Sequence, residues 1–445
     1  MPMNDQFQTY LQDGRAAVAR GAWDDAERCF RSALVVRPQS TEALSDLGHA
    51  LISAQKFAAA ETVWSQVVQV EPDSAEAQRM LGIILGHKQD LKAAQPHLER
   101  ALALNPNFDD VAYYLGRMAH QDRNMPRAAG YYEHAHSVNP LNVKSLISLV
   151  NALTELRREA DAVAVGTKGV LTLRAHPDIP PVSYNPVLNQ IAHAYRCMND
   201  MAKAAECYRD MLTADPGDKV AQHLLASAEG KISDAQPVAF AQSFFDTFAP
   251  NFENHLVGLL GYGAPAVIVT TLLDLRPKIE SFPGVLDLGC GTGLMGHALV
   301  QSYPITRLVG VDLSEKMLRE AVRRGIYHEL VAGDLAEVMA KRSDTFDLIV
   351  SADVFEYLGD LRPLFTQAQR CLTPDGIFAF TVEISATHDV ELAQNGHYRH
   401  GREYIQRLAR EAGFEVVRTA EAPIRNEAQQ PVLGYYVYLT KSAKA

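Results

Sequence analysis

The residues best placed to do chemistry lie in VLDLGCGTGLMG, Val285 to Gly296. A short apolar run leads into Gly289, Gly291 and Gly293, and an amphipathic stretch starts directly behind them. Glycine permits a tight turn and lets a ligand approach the backbone, as strand–loop–helix units do when they bind nucleotides. The acids sharpen that reading. Asp312, in LVGVDLSEKML, ends the next apolar run. It lies at the distance from the loop where a carboxylate accepts hydrogen bonds from ribose hydroxyls. Asp287 precedes the loop within the run itself, and the glycines read GxGxG and not GxGxxG. An acid there suits a cationic ligand and works against a pyrophosphate. The chain has no GxxxxGK motif ending in Ser or Thr, which argues against a nucleoside triphosphatase.

A second group of reactive residues lies further on. Glu383 closes an apolar run, and THDVELAQNGHYRHG follows with His388, His397, His400, Tyr398 and Arg399. The plain reading is a solvated polar loop. The functional reading has one histidine touching substrate, with His400, Tyr398 and Glu383 as the groups to move a proton and Arg399 to bind a carboxylate. No cysteine or carboxylate set completes a metal site there, so no metal is expected. Cys290 reads as a small apolar filler of the glycine turn.

The elements that must carry these residues alternate between short apolar runs and amphipathic stretches, the pattern of βαβ units around a parallel sheet. Strands are expected at Gly284–Leu288, Arg307–Val311, Leu330–Ala332, Phe346–Ser351, Ile377–Glu383, Glu415–Thr419 and Val432–Leu439. The last two could pair antiparallel at the sheet edge. Upstream, Ser233 to Pro237 reads as a linker. Phe244, Phe245, Phe248, Phe252 and His255 follow it at roughly helical spacing. They read either as a core-facing helix or as a lid, in which Phe245, Phe252 and Tyr262 would keep water from the ligand.

The first half of the chain repeats. Pro38, Pro72, Pro106 and Pro140 are evenly spaced, and Pro216 follows after two further periods plus a short insertion. One stretch of each interval carries a large residue and then a small one, as in Leu47-Gly48, Leu81-Gly82 and Leu115-Gly116. The next carries alanine and, four positions on, a bulky residue: Ala26/Phe30, Ala60/Trp64, Ala94/Leu98 and Ala128/Tyr132. Small residues let paired helices approach, the bulky one fills the gap to the neighbouring hairpin, and proline ends the second helix. This pattern and its period resemble the tetratricopeptide repeat family over roughly residues 7 to 216, with about six units. One unit, around Val143 to Leu173, has Gly166 and Gly169 where bulk and alanine belong, so its packing is expected to be weakest. Asp218 to Lys231 reads as a capping helix. Outward positions of the first helices, among them Glu42, His49, Arg79, Arg117, His193 and Arg196, would hold a peptide or carboxylate, or simply form a solvated face.

Over residues 240 to 441 the chain resembles the class I S-adenosylmethionine-dependent methyltransferases. VLDLGCGTG looks like their glycine-rich motif, which implies Asp287, Gly289, Gly291 and Gly293 beside the methionine part of S-adenosylmethionine. VDLSEKML implies Asp312 on the ribose, with Leu313 and Met317 along the adenine. AGDLAE implies Asp334 and Leu335 at the adenine edge. FDLIVSADVFEYLGDL implies Asp353, Val354 and Tyr357 facing cofactor and substrate. The order of repeats followed by this domain is similar to the bacterial tetratricopeptide-repeat-containing methyltransferases. Methyl transfer needs mainly positioning, and a base only where the acceptor must lose a proton. Candidates for that role are His400, Tyr398, Glu383 and Tyr357.

The expected architecture is therefore multidomain: an all-α repeat solenoid with its cap over 1–231, a linker and lid segment over 232–265, and an α/β Rossmann-like methyltransferase domain over 266–445. The expected function is methyl transfer to a peptide or protein acceptor recruited by the repeats. The alternative is a small metabolite or natural product as acceptor, with the repeats mediating homo-oligomerisation. The formal net charge of −11 argues against nucleic acid or an anionic membrane as partner. The five scattered cysteines and the absence of an N-terminal leader pattern suggest the cytoplasm.

Overall fold

The computed structural model describes residues 3–88, 90–232, 241–242, 245, 261–277, 280–343, 345–427 and 430–442. The expected linker at Ser233 to Pro237, and Phe244, Phe248, Phe252 and His255, lie outside the described residues. The chain divides into two compact units, Met1–Asp200 and Met201–Ala445. That division falls ahead of the 231/232 boundary read from the sequence, so the second helix of the last repeat and its cap go with the second unit.

The first unit is helical: α1 (Met3–Ala19), α2 (Trp23–Val36), α3 (Thr41–Ser53), α4 (Phe57–Val70), α5 (Ala75–His87), α6 (Leu91–Leu104), α7 (Asp109–Gln121), α8 (Met125–Val138), α9 (Val143–Glu155), α10 (Glu159–Arg174) and α11 (Asn185–Cys197). The evenly spaced prolines act as expected. Arg37, Glu71, Asn105 and Asn139 each cap a helix just before a proline, with φ of −134°, −127°, −139° and −130° and ψ between 79° and 97°. Those backbone angles are the non-helical ones that a following proline favours. Ser40, Ser74 and Asn142 then cap the next helix through their side chains.

The bulky residues pack within their own hairpin, against the small residue of the partner helix. A Cβ on Gly48 would lie 2.6 Å from the Trp64 ring, and one on Gly116 2.5 Å from Tyr132. Gly14 and Phe30 make the same pair at 2.5 Å. In the α9–α10 hairpin the sizes are exchanged. Val150 stands where the other hairpins have glycine, and Gly166 stands where they have an aromatic or leucine. Leu146 and Ile191 occupy the room, at 2.3 Å from a Cβ on Gly169 and 2.6 Å from one on Gly166. This hairpin is thus packed by reversed complementarity and is not the loose unit its glycines suggest. Two of the outward residues are already ion-paired: Arg79 bonds Asp110 and Glu76, and Glu42 accepts from Arg15.

The second unit opens with α12 (Met201–Ala214) and α13 (Lys219–Ala228), followed by α14 (Ala264–Leu275). Then come β1 (Phe282–Leu288), α15 (Leu294–Ser302), β2 (Ile305–Asp312), α16 (Glu315–Arg324), β3 (Glu329–Ala332), α17 (Leu335–Ala340) and β4 (Phe346–Ser351). After a short 3-10 turn at Phe355–Tyr357 follow α18 (Arg362–Cys371), β5 (Leu372–Ser385), β6 (Val390–Leu392), β7 (Tyr398–Gly401), α19 (Arg402–Glu411), β8 (Phe414–Glu427) and β9 (Gln430–Lys441). Among the described residues the sheet runs β3-β2-β1-β4-β5-β7-β6, and β9 pairs antiparallel with both β5 and β8. The central strands are parallel and sealed on both faces. Leu286 and Leu288 enter one apolar cluster with Val309 and Phe380, while Val285 enters the other with Leu308 and Val350.

Two strands, β6 and β7, went unread in the sequence. NGHYRHG is not a solvated loop, because Tyr398 and His400 alternate inward from β7, which pairs with β5 at Glu383↔Arg399 and Ile384↔His400.

Candidate functional site

The glycine loop turns on three left-handed residues, Gly289 (φ +70°), Gly291 (φ +55°) and Gly293 (φ +90°). A Cβ on Gly289 would strike Val354 at 2.4 Å, so only glycine lets the turn after β4 close against the loop. A Cβ on Gly291 would meet nothing within 4 Å. Asp312, at the end of β2, reaches across: its Oδ2 accepts from the Gly291 amide at 2.8 Å and its Oδ1 from the Ser314 amide at 2.8 Å. These bonds fix the carboxylate at the edge of the glycine loop. Met317 is buried behind it and Leu313 is half-buried beside it. Asp334 caps α17 by accepting from the Glu337 amide at 3.0 Å, with Leu335 buried next in the chain.

Asp287 is 1% exposed. Its Oδ2 accepts from the Tyr327 hydroxyl at 2.7 Å, and its buried Oδ1 has no hydrogen-bond partner among the described residues. Burial pushes its pKa up to about 7, against the pull of hydrogen bonds from Tyr327 and the Gly296 backbone. A buried acceptor of this kind is suited to a cationic donor. Together with the space at Gly291 and the held carboxylate of Asp312, it fits the ammonium, backbone approach and ribose diol of S-adenosylmethionine.

Beside this loop, the ends of β4, β5 and β8 gather a buried ion cluster. Arg425 is 4% exposed and bonds Asp353, Glu356 (3.5 Å) and Glu383 (2.6 Å). Glu383 Oε1 also lies 2.9 Å from His397 Nδ1. Burial alone would raise Glu383, but His397 and Arg425 outweigh it and hold the carboxyl down at about 2. Glu356 goes the other way: burial, then the neighbouring Asp353 carboxylate, drive it well above the usual range. Among the described residues its Oε2 has no hydrogen-bond partner. Asp353 takes φ +60°, a conformation that costs a non-glycine residue energy and marks functional turns. Tyr357 meets the His397 ring edge-on at 5.0 Å, and Phe245 meets Tyr357 at 4.9 Å. Tyr262 donates to the Ala352 carbonyl at 3.2 Å. Burial raises its hydroxyl well above the usual value, with Asp353, Glu356 and Asp287 adding to the shift, so it stands between loop and cluster.

The structure thus brings Glu383, Tyr357, Asp353, Phe245 and Tyr262 together, and separates off two of the expected residues. His400 is fully buried, faces the Gly359 carbonyl at 3.4 Å and stacks on Tyr404. Burial lowers its pKa to about 4, as expected of a core imidazole and not of a base open to substrate. Tyr398 is 1% exposed and packs on Gly359. Arg399 is half-exposed and already lies beside Glu383 (3.6 Å) and Glu391 (3.9 Å). Phe252 lies outside the described residues. Arg425, Glu356 and Tyr327 were missed by sequence reasoning. Glu356 alone left a trace, as an acid enclosed by Phe355 and Tyr357. Among the described residues no group of three or more His, Cys, Asp or Glu is placed to hold a metal ion, and no helix is long and apolar enough to cross a membrane.

A family profile for the methyltransferase domain matches residues 285–376, and tetratricopeptide repeat profiles match 17–84, 85–137 and 187–220. The chain joins tetratricopeptide repeats to a methyltransferase domain. It is 39% identical over 101 residues to a malonyl-[acyl-carrier protein] O-methyltransferase of Geobacter sulfurreducens, covering 22% of this chain and 38% of that one. It is 33% identical over 127 residues to a trans-aconitate 2-methyltransferase of Deinococcus radiodurans, covering 28% and 45%. The chain therefore spans less than half the length of these two curated relatives. Among solved structures, an S-adenosylmethionine-dependent methyltransferase from Clostridium acetobutylicum is 16% identical over 45% of this chain and all of that one, with a TM-score of 0.35.

Proposed function

We propose that the methyltransferase domain binds S-adenosylmethionine and transfers its methyl group to an acceptor held against Tyr357, His397 and Arg425. The observation that carries this reading is the pairing of a buried, half-bonded Asp287 with an Asp312 carboxylate pinned to the glycine loop. When bound, the cofactor supplies an electrophilic methyl on a sulfonium. The chain's own residues hold and orient it. Asp287 takes the ammonium, Asp312 the ribose hydroxyls, and Asp334, Leu313, Leu335 and Met317 the adenine. Phe245 and Tyr262 keep water from the reacting atoms, which strengthens every charge interaction there. Where the acceptor must lose a proton, His397 replaces His400 as the base. Its Nδ1 lies within hydrogen-bond reach of Glu383, Arg425 and Asn395, and in the tautomer whose Nδ1–H donates to Glu383 the Nε2 nitrogen takes the acceptor's proton as the methyl leaves sulfur.

On this reading the repeats recruit a peptide or protein acceptor. The second reading, a small-molecule acceptor with the repeats serving assembly, is favoured by the self-paired cations at Arg15 and Arg79. Cell lysate treated with the protein and isotopically labelled S-adenosylmethionine separates the two. Label in protein bands supports recruitment, label confined to small molecules supports the second reading, and label in neither fraction contradicts methyl transfer.

A further inference from the structure

Helix α13 follows the last repeat and is built like the first helix of one. Asp218 caps it through its side chain, as Ser40 and Ser74 cap α3 and α5. Counting from each cap, His223 and Ser227 hold the positions of Ser45 and His49 in α3 and of Arg79 and Ile83 in α5. In α3 and α5 these positions are exposed or half-exposed, on the face read from sequence as the peptide-binding one. In α13 they are 0% and 1% exposed, because they grip the methyltransferase sheet. His223 Nε2 lies 2.9 Å from the Gly396 carbonyl, and Ser227 Oγ donates to the Ala393 carbonyl at 2.7 Å. The His223 ring also tilts against Tyr398 at 5.8 Å.

Ala393 to Gly396 is the turn between β6 and β7, and His397 is its next residue. The Ala393 amide donates to the His397 carbonyl at 2.8 Å, and the His397 amide donates to Asn395 Oδ1 at 3.1 Å. Gly396 takes φ +87° to make the turn. On the far side, His397 meets Glu383. We infer that α13 uses the ligand face of a repeat to hold this turn, so that His223 and Ser227 are positioning residues that aim His397 at the acceptor. This rests on the reading of His397 as the acceptor-side base.

The test uses the full-length protein labelled with 15N-histidine, in His223→Ala, Ser227→Ala and His223→Gln forms. Both alanine variants should exchange the His397 amide on the order of ten-fold faster, the effect of losing one such bond. They should also move the His397 side-chain nitrogen signals, while calorimetry finds S-adenosylmethionine affinity unchanged. His223→Gln places a donor nitrogen near the lost Nε2 and should restore both signals. Unmoved His397 signals in folded Ser227→Ala protein, or a His223→Gln that fails to restore them, overturns the inference. Absence of cofactor binding in every form would count against the proposed function instead, and the exchange and His397 readouts would still judge this one.

Discussion

Arg425 is the residue on which the acceptor side depends. Its guanidinium is the cation shared by Asp353, Glu356 and Glu383, and all four groups are out of water. Removing one partner from such a cluster leaves uncompensated buried charge. Arg425→Met should therefore cost about 3–5 kcal/mol, read by urea unfolding. A change below ~1 kcal/mol would mean the cluster is not buried as described. Glu383 gives a pH dependence whose sign follows from its lowered pKa. The unfolded carboxyl, near ~4.3, binds a proton before the folded one at about 2 does. Its contribution is thus complete above the unfolded value and is lost as pH falls from ~4.5 toward 2. Glu383→Gln should flatten stability across that window, and an unchanged acid limb would contradict the assignment. At this scale the sequence was legible wherever a motif is local. Asp287, the glycines and Asp312 sit within one strand–loop–helix and the strand that follows. Arg425 was not legible, since it reaches Asp353 across 72 residues. Only the pairing of β8 and β9, with a register shift between Pro423 and Arg425, brings it there.

Among the elements, the repeat hairpins are held by matched sizes across the helix pair. Where α9 and α10 exchange the roles, the match survives, with Leu146 against Gly169. A double-mutant cycle tests this. Gly169→Ala alone should overpack the site by about 1–3 kcal/mol, and Leu146→Ala alone should leave a cavity costing about 2–5 kcal/mol. Together they should cost less than the sum, by about 0.5–3 kcal/mol, as residues in contact do. Strict additivity in thermal unfolding would show that the two do not meet. The repeat period was visible in the prolines because each acts on its own neighbour. The close contact of each bulky residue with the glycine of its own hairpin was not, because one sequence spacing serves both a partner helix and the next hairpin. The same limit explains β7. The short alternation in Tyr398–Gly401 is too brief to stand out from a polar, glycine-bounded stretch.

For the whole molecule, the chain divides into its two compact units at Asp200/Met201, and α13 belongs with the sheet that it grips. A chain beginning at Met201 should bind S-adenosylmethionine and unfold in one transition. A chain beginning at Ile232 loses the His223 and Ser227 bonds, each worth about 0.5–1.5 kcal/mol. It should melt several degrees lower, about 2–4 °C for each kcal/mol lost in a domain of this size. Equal melting of the two chains would move the functional boundary back to the one the linker composition suggests.

The proposed methyl transfer presupposes a cofactor in the glycine loop. Isothermal titration of the full-length protein with S-adenosylmethionine and with its demethylated product tests that directly. The account predicts saturable one-site binding, weakened by about 1–3 kcal/mol in Asp312→Ala, where the held acceptor of the ribose hydroxyls is gone. No saturable heat with either ligand, or equal affinity in the Asp312→Ala protein, would contradict it.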